Sequence, residues 1–251
     1  PPAYSVNLPK MSIAMHNATT AAPAAASEML QKQELQALIV KALQAVLPAE
    51  CLLWTTEQTT PYECDGLTAY RERPLAVALP SSYEQIQLVL QTCHHLGVPV
   101  VARGAGTGLS GGAMPHARGV TLSLAKFNRI LRVDPLACTA TVQSGVRNLA
   151  ISEAAAPLGL YYAPDPSSQI ACTIGGNVAE NSGGVHCLKY GLTVHNVLKV
   201  KGFTVRGEPI EFGGEALDAP GYDLLALING SEGMLAVTTE VTVRLLPRPQ
   251  L

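Results

Sequence analysis

The chain has 251 residues, 47% of them hydrophobic and 14% charged, with a formal net charge of −2. That is enough chain for one large domain or two small ones with real cores, and too apolar for an intrinsically disordered protein. The balanced charge argues against a nucleic-acid partner, because binding a phosphate backbone calls for a cationic surface. Cys51, Cys64, Cys93, Cys138, Cys172 and Cys187 are scattered without a CxxC pair, the pattern of reduced, mostly buried thiols in a cytoplasmic protein. No His/Cys/Asp spacing suggests a metal site.

Residues 1–27 are rich in Ala and Thr and lack the basic and leucine-rich regions of a signal peptide. They read as a disordered or extraneous lead, with Met11 or Met15 as the expected initiator. Ser27 to Val46 reads as a helix, with Leu30, Leu35, Ile39, Leu43 and Val46 near helical spacing. Its apolar stretch, 37–47, is interrupted by Lys41 and Gln44 and is too short to span a bilayer. Residues 48–73 show no clear period.

Leu75 to Leu79 is a short apolar strand, and Ser81 with Glu84 suggests a capping box opening a helix. Ile86, Val89, Leu90, Cys93 and Leu96 form that helix's buried face, His94 and His95 face solvent, and Gly97 stops it. Val98 to Ala102 follows as a strand, so the two strands are expected to be parallel, in a βαβ unit. Further strands are expected at 119–124, 129–134 and 138–143, and a helix at 146–158. A hairpin is expected from Val197–Val205 and Pro209–Phe212 around Arg206-Gly207. A short helical turn should follow Gly230-Ser231-Glu232-Gly233, with a last strand at 236–245. Strands joined by turns dominate the later half, so the expected fold class is α+β, a small parallel βαβ lobe followed by a larger, mostly antiparallel lobe with flanking helices.

Two segments carry the chemistry. Residues 103–112 read Arg-Gly-Ala-Gly-Thr-Gly-Leu-Ser-Gly-Gly, five glycines in ten residues directly after a buried strand. Successive small residues let backbone amides converge into an anion nest, with the Thr107 and Ser110 hydroxyls as extra donors, so the natural guest is a phosphate or pyrophosphate. The stretch Gly106-Thr107-Gly108-Leu109-Ser110-Gly111 also fits GxGxxG, but the nicotinamide-dinucleotide form of that motif needs a helix to open inside it. Pro115 and Gly119 follow instead, then an alternating strand, and no Gly-Lys-Ser/Thr is present. Both the Rossmann and the Walker readings therefore fail on context.

The second segment, 164–184, reads PDPSSQIACTIGGNVAENSGG. Pro-Asp-Pro fixes a turn, and a helix starting near Gly175 would offer free amides, with Asn177 and Asn181 on one face. Alone, it fits an Asx-turn loop as well as a ligand wall. Beside the first loop, it suggests a long ligand held at both ends.

Four motifs in order, ARGAGTGLSGGA, PDPSS, CTIGGNVAENSGGVHCLKYG and GSEGMLAVTTEVTVRLLP, resemble the FAD-binding domain of the vanillyl-alcohol-oxidase, or PCMH, type. Within it they are most similar to the glycolate oxidase and D-lactate or D-2-hydroxyglutarate dehydrogenase branch. The lead over 1–27 and the helical segment over 28–70 stand outside the resemblance, which implies a two-lobed PCMH-type domain over 71–251 with FAD between the lobes. Arg103, Gly104, Ala105, Gly106, Thr107, Gly108, Leu109, Ser110, Gly111 and Gly112 would hold the pyrophosphate. Pro164, Asp165, Ser167, Ser168, Thr173, Gly175, Gly176, Asn177, Asn181 and Gly183 would line the flavin and ribityl chain, and Glu232 and Val237 would lie near the adenosine.

The implied reaction oxidises a 2-hydroxy acid to its 2-oxo acid: a base takes the hydroxyl proton and the α-hydrogen passes as hydride to flavin N5. Thr107 stands where covalent relatives carry a His, and Cys172 falls one position from the cysteine of bicovalent relatives, so the resemblance implies a non-covalent FAD. It also implies a further substrate domain beyond Leu251 and partner subunits, a second FAD-domain subunit and an iron–sulfur subunit. Through them a cytoplasmic chain would reach the inner face of the membrane. Catalytic residues stay unassigned: His186 is the one candidate base, and a lone His is more often simply packed or hydrogen-bonded. Two alternatives stand beside the oxidoreductase reading, a non-catalytic flavin-binding or assembly subunit and an NAD-dependent Rossmann dehydrogenase.

Overall fold

The computed structural model describes residues 21–214, 216 and 221–249. The chain divides into two units, residues 1–34 and 35–251. The described part of the first is the start of helix α1 (Ala21–Gln44), along which Met29 and Leu30 are exposed. This helix begins before the expected Ser27 because alanines run through its first turns, and alanine favours helix without needing an apolar period. The lead expected over 1–27 lies outside the described residues as far as residue 20.

In the second unit the chain runs through β1 (Leu52–Leu53), α2 (Thr56–Thr59), β2 (Ala76–Ala78), α3 (Tyr83–His95), β3 (Val100–Arg103) and β4 (Val120–Ser123). Neither β1 nor α2 is expected from the sequence, yet Thr55 and Gln58 form a complete capping box at the start of α2. At α3 the expected cap moves by one residue. The Ser82 hydroxyl accepts from the Gln85 amide at 3.3 Å, and Gln85 Oε1 accepts from the Ser81 amide at 2.7 Å. Helical geometry starts at Tyr83, which makes Gln85, not Glu84, the third helical residue. Ile86, Val89, Leu90 and Cys93 are buried as expected, His94 and His95 are exposed, and Gly97 ends the run at φ 63°.

The first sheet has the order β1-β2-β4-β3, with β4 parallel to both neighbours and β1 antiparallel at the edge. The two strands expected to be parallel are so, but β4 lies between them. Ile39, Leu43, Leu75, Ile86, Leu90, Leu122 and Phe127 form its core.

Next come β5 (Ile130–Asp134), β6 (Thr139–Gln143), α4 (Asn148–Ala155), β7 (Leu160–Tyr161), α5 (Ile174–Glu180), α6 (Cys187–Tyr190) and α7 (Thr193–Asn196). The chain then runs through β8 (Val197–Phe203), β9 (Pro209–Gly213), α8 (Leu224–Ile228), β10 (Val237–Arg244) and β11 (Leu246–Pro247). The helix expected at 146–158 is shorter because Pro157 helps tighten its last turn into a 3-10 turn ended by Gly159. The short helix expected after Gly230 instead precedes it, as α8, with the Asp223 carboxylate capping the Ala226 amide at 2.9 Å. The second sheet, β5-β6-β10-β8-β9, is wholly antiparallel, and the 197–213 hairpin falls where expected. Val142, Ile151, Ile174, Val200, Val241 and Leu245 form its core.

The fold is thus the expected α+β one, with a small mainly parallel lobe and a larger antiparallel lobe. The lobes are pinned where Tyr83, at the start of α3, donates its hydroxyl to Glu240 of β10 and accepts from Gln143 Nε2 of β6. Among the described residues no helix is long and apolar enough to cross a membrane.

Candidate functional site

The chain passes from β3 to β4 through residues 104–119 with no helix between, as the sequence context requires. Arg103, expected among the ligand contacts, sends its guanidinium beneath this loop. Its Nη1 donates to the Cys64 carbonyl at 2.8 Å and the Ala113 carbonyl at 3.2 Å. A β-carbon at Gly106, where φ is 70°, would stand 2.3 Å from Arg103 Nη2. Asp65 lies near by, and the Arg103 carbon sits 5.7 Å from the Tyr62 ring centroid. Arg103 is a buried strut that shapes the loop.

The opposite wall is the start of α5. Thr173 is buried and its hydroxyl has no hydrogen-bond partner among the described residues. A β-carbon at Gly104 would come within 2.3 Å of that hydroxyl and 3.9 Å of the Gly176 amide nitrogen, so only glycine leaves the space between the walls open. The Ser144 hydroxyl, also buried, is likewise unpartnered. Two amides expected to be free are engaged: Ile174 N donates to Val146 O at 2.9 Å and Gly175 N to Ser144 O at 2.8 Å. The turn before α4 lies against the helix start and consumes them.

Asn177 is buried and works within the protein. Its Oδ1 accepts from Asn148 Nδ2 at 2.9 Å, and its Nδ2 reaches Cys172 Sγ at 3.3 Å and Ser182 Oγ at 3.4 Å. Asn181 does not share its face, because it leaves the helix in the left-handed region at φ 49° and its Oδ1 accepts from the Val194 amide at 2.9 Å.

The walls enclose a cleft of about 310 Å³ lined by Arg103 to Leu109, Gly112, Ser168, Thr173, Gly175, Gly176, Asn177 and Glu232 among the expected residues. Ser110, Gly111, Pro164, Asp165, Ser167, Asn181, Gly183 and Val237 fall outside this lining. Pro164 instead offers its carbonyl to Asn148 Nδ2 at 3.1 Å, and Val237 is buried in the first core. Asp165 pairs with His186, its Oδ2 lying 2.8 Å from His186 Nδ1 while Oδ1 accepts the His186 amide at 3.2 Å. His186 is 55% exposed and stands beyond the lining.

Ser144, Glu180, Ser182 and Thr238 line the cleft without being expected. Glu180 and Ser182 lie inside the motif that carries Asn177. Ser144 and Thr238 come from strand ends with no local signature and are brought in only by sheet pairing, the Ser144 amide donating to the Thr239 carbonyl at 2.9 Å. Partial burial, then the charges of Glu232 and Asp65, raise the Glu180 carboxyl above the ordinary carboxylate value.

Glycine-shaped walls and two buried hydroxyls without partners suit an elongated ligand with acceptor oxygens, such as a dinucleotide diphosphate. The chain matches the FAD binding domain family over residues 74–213, a span that takes in both glycine-rich segments, and it belongs to that family. Its cofactor is accordingly FAD.

More particularly, it is 64% identical over 211 residues to the glycolate oxidase subunit GlcD of Escherichia coli strain K12, covering 84% of this chain and 42% of that protein. It is 40% identical over 173 residues to a D-lactate dehydrogenase of Archaeoglobus fulgidus, covering 68% of this chain and 39% of that protein. Among solved structures, an alkyldihydroxyacetonephosphate synthase matches with a TM-score of 0.75 at 23% identity, over 85% of this chain and 41% of that one, a likeness of fold alone. The chain spans about two fifths of the length of the curated relatives it matches.

Proposed function

We propose that this chain is the flavin-binding portion of an oxidoreductase that converts a 2-hydroxy acid such as glycolate or D-lactate into its 2-oxo acid. The observation that carries the reading is the cleft, where the 104–112 loop faces the unpartnered Thr173 and Ser144 hydroxyls across the gap kept open by Gly104. The substrate class is supported by the glycolate oxidase subunit and the D-lactate dehydrogenase to which the chain is similar.

In this reading the loop amides from Gly104 to Gly112 hold the diphosphate. Ser168, Thr173 and Gly176 flank the ribityl and flavin side, and Glu232 lies toward the adenosine. Bound FAD supplies the two-electron acceptor for the substrate's α-hydrogen. The chain's own work is to orient that group and exclude water. Asp165, holding His186 Nδ1, leaves Nε2 free to take a proton, which keeps His186 the candidate base. The flavin is held without a covalent bond: Thr107 offers no imidazole, and Cys172 is packed, 4% exposed, against Asn177. The chain works as one subunit beside a second FAD-domain subunit and an iron–sulfur subunit, in the cytoplasm or against the inner face of the membrane; the name of the E. coli relative, a glycolate oxidase subunit, supports the part of this reading that makes the chain one subunit among others.

Reconstitution with FAD tests this. The expected product is yellow, and acid precipitation frees all of its flavin. Failure to take up FAD, or uptake of NAD in its place, overturns the reading. Flavin bleaching by glycolate or D-lactate, measured with the remaining length of a GlcD-type relative supplied, separates an oxidoreductase from a flavin-binding assembly subunit.

A further inference from the structure

We propose that Glu180 binds FAD as the neutral carboxylic acid, donating its proton to the cofactor's diphosphate, so that each FAD is taken up together with one proton. The inference rests on the FAD reading above and deepens it.

The placement comes first. Glu180 ends α5 and lines the cleft. A β-carbon built on Gly112 would lie 2.9 Å from Glu180 Oε1, and one built on Gly108 would lie 3.8 Å from the same oxygen. The carboxyl therefore stands against the loop that grips the diphosphate.

The surroundings come second. Glu232 faces Glu180 from the 230–233 turn, its Oε2 lying 3.9 Å from the same Gly112 β-carbon position. Its backbone is held in the left-handed region at φ 53°, and its amide donates to the Ala179 carbonyl at 2.8 Å. A glutamate pays strain to hold that conformation, and the anchoring bond keeps the second carboxylate beside the first. Asp65 adds a third negative charge from the segment before β2. Among the described residues lining the cleft the only basic side chain is Arg103, and its guanidinium is engaged by the Cys64 and Ala113 carbonyls under the loop.

The consequence is electrostatic. A diphosphate brings two negative charges to a cleft lined by two carboxylates and a single cation, Arg103, whose charge also acts on Asp65. Anions that close together cannot all stay ionised once the ligand excludes water, and the group already biased toward its protonated form takes the proton. Glu180 is that group, since partial burial, Glu232 and Asp65 all raise its proton affinity. Its side chain is exposed, and a bound cofactor would cover it, raising that affinity further. As a neutral acid it is a donor and joins Thr173 and Ser144, whose buried hydroxyls lack partners.

FAD binding to this chain, followed by protein fluorescence across pH, and calorimetry in buffers of different ionisation enthalpy test the proposal. The dissociation constant should rise with pH, at its steepest by about tenfold per unit, with an uptake approaching one proton per FAD. Glu180→Gln, which keeps a donor and removes the charge, should bind FAD at neutral pH as tightly as the parent does in acid, with no pH slope. Glu180→Ala should also lose the slope but bind more weakly than Glu180→Gln. Glu232→Gln, which removes the nearer like charge, should move the steep region to lower pH. FAD binding with no proton uptake, or uptake that survives in Glu180→Gln, overturns the proposal and leaves the flavin reading standing; no FAD binding at any pH overturns the flavin reading itself.

Discussion

Thr173 holds a buried hydroxyl with no partner among the described residues, a cost of roughly 1–3 kcal/mol to the protein without FAD. Thr173→Val removes that cost while keeping the shape. The empty chain should gain about 1 kcal/mol in urea unfolding, while FAD affinity falls about tenfold by fluorescence titration. Opposite signs in the two measurements identify a group kept for its ligand. Gly104→Ala acts across the same gap: its β-carbon, 2.3 Å from Thr173 Oγ1, should fill the diphosphate space and weaken FAD binding by about a hundredfold, with far-ultraviolet dichroism unchanged. Glu180 gives the pH dependence of the empty chain. Its carboxyl is raised in the fold from a reference value of 4.5, so the folded state holds the proton more tightly than the unfolded one. The stability from this group is fully present below the reference value and is lost as pH rises through the folded value. In Glu180→Gln the urea midpoint should fall less between acid and neutral pH than in the parent.

The elements follow the sequence where a local period or turn signal decides them, and depart from it where a partner does. The longer strands and the two glycine-rich segments declare themselves by alternation, glycine clustering and the absence of a helix after Gly112, whereas β1, β7 and β11, two residues each, have no local signal. The cap of α3 slips from Ser81 to Ser82 because adjacent serines offer equal caps and only the packed helix selects one. Asn181 leaves the face of Asn177 because α5 ends at Glu180, a boundary set by the amide of Gly230 donating to the Val178 carbonyl from far along the chain. Arg103 reads as a ligand contact from its motif, but the Cys64 and Ala113 carbonyls that capture it cannot be seen without the fold. Between elements, Tyr83 ties α3 to β6 and β10, and burial raises its phenol above the ordinary value. Tyr83→Phe should cost about 1–2 kcal/mol in chemical denaturation, because Glu240 and Gln143 lose their shared partner.

At the scale of the whole molecule, the cleft proposed for the cofactor joins walls supplied by both lobes, β3 with its loop from one and α5 with the end of β10 from the other. A ligand that binds only the folded state at a hundred times its dissociation constant adds about 2.7 kcal/mol. For a chain of this size that corresponds to a rise in melting temperature of roughly 5–10 °C. Differential scanning fluorimetry with saturating FAD should show that rise, and NAD at the same concentration should leave the transition in place.

β3 and β4 are hydrogen-bonded neighbours running in the same direction, and parallel neighbours can be joined only by a crossover. Here the crossover is the loop proposed to grip the phosphates, with Leu109 69% exposed upon it. On that proposal, one ribbon of backbone serves as tether for the sheet and as handle for the cofactor. A protease nick at Leu109 would cut both at once, and the flavin, clasped on either side of the break, would act as a splint holding the severed strands together.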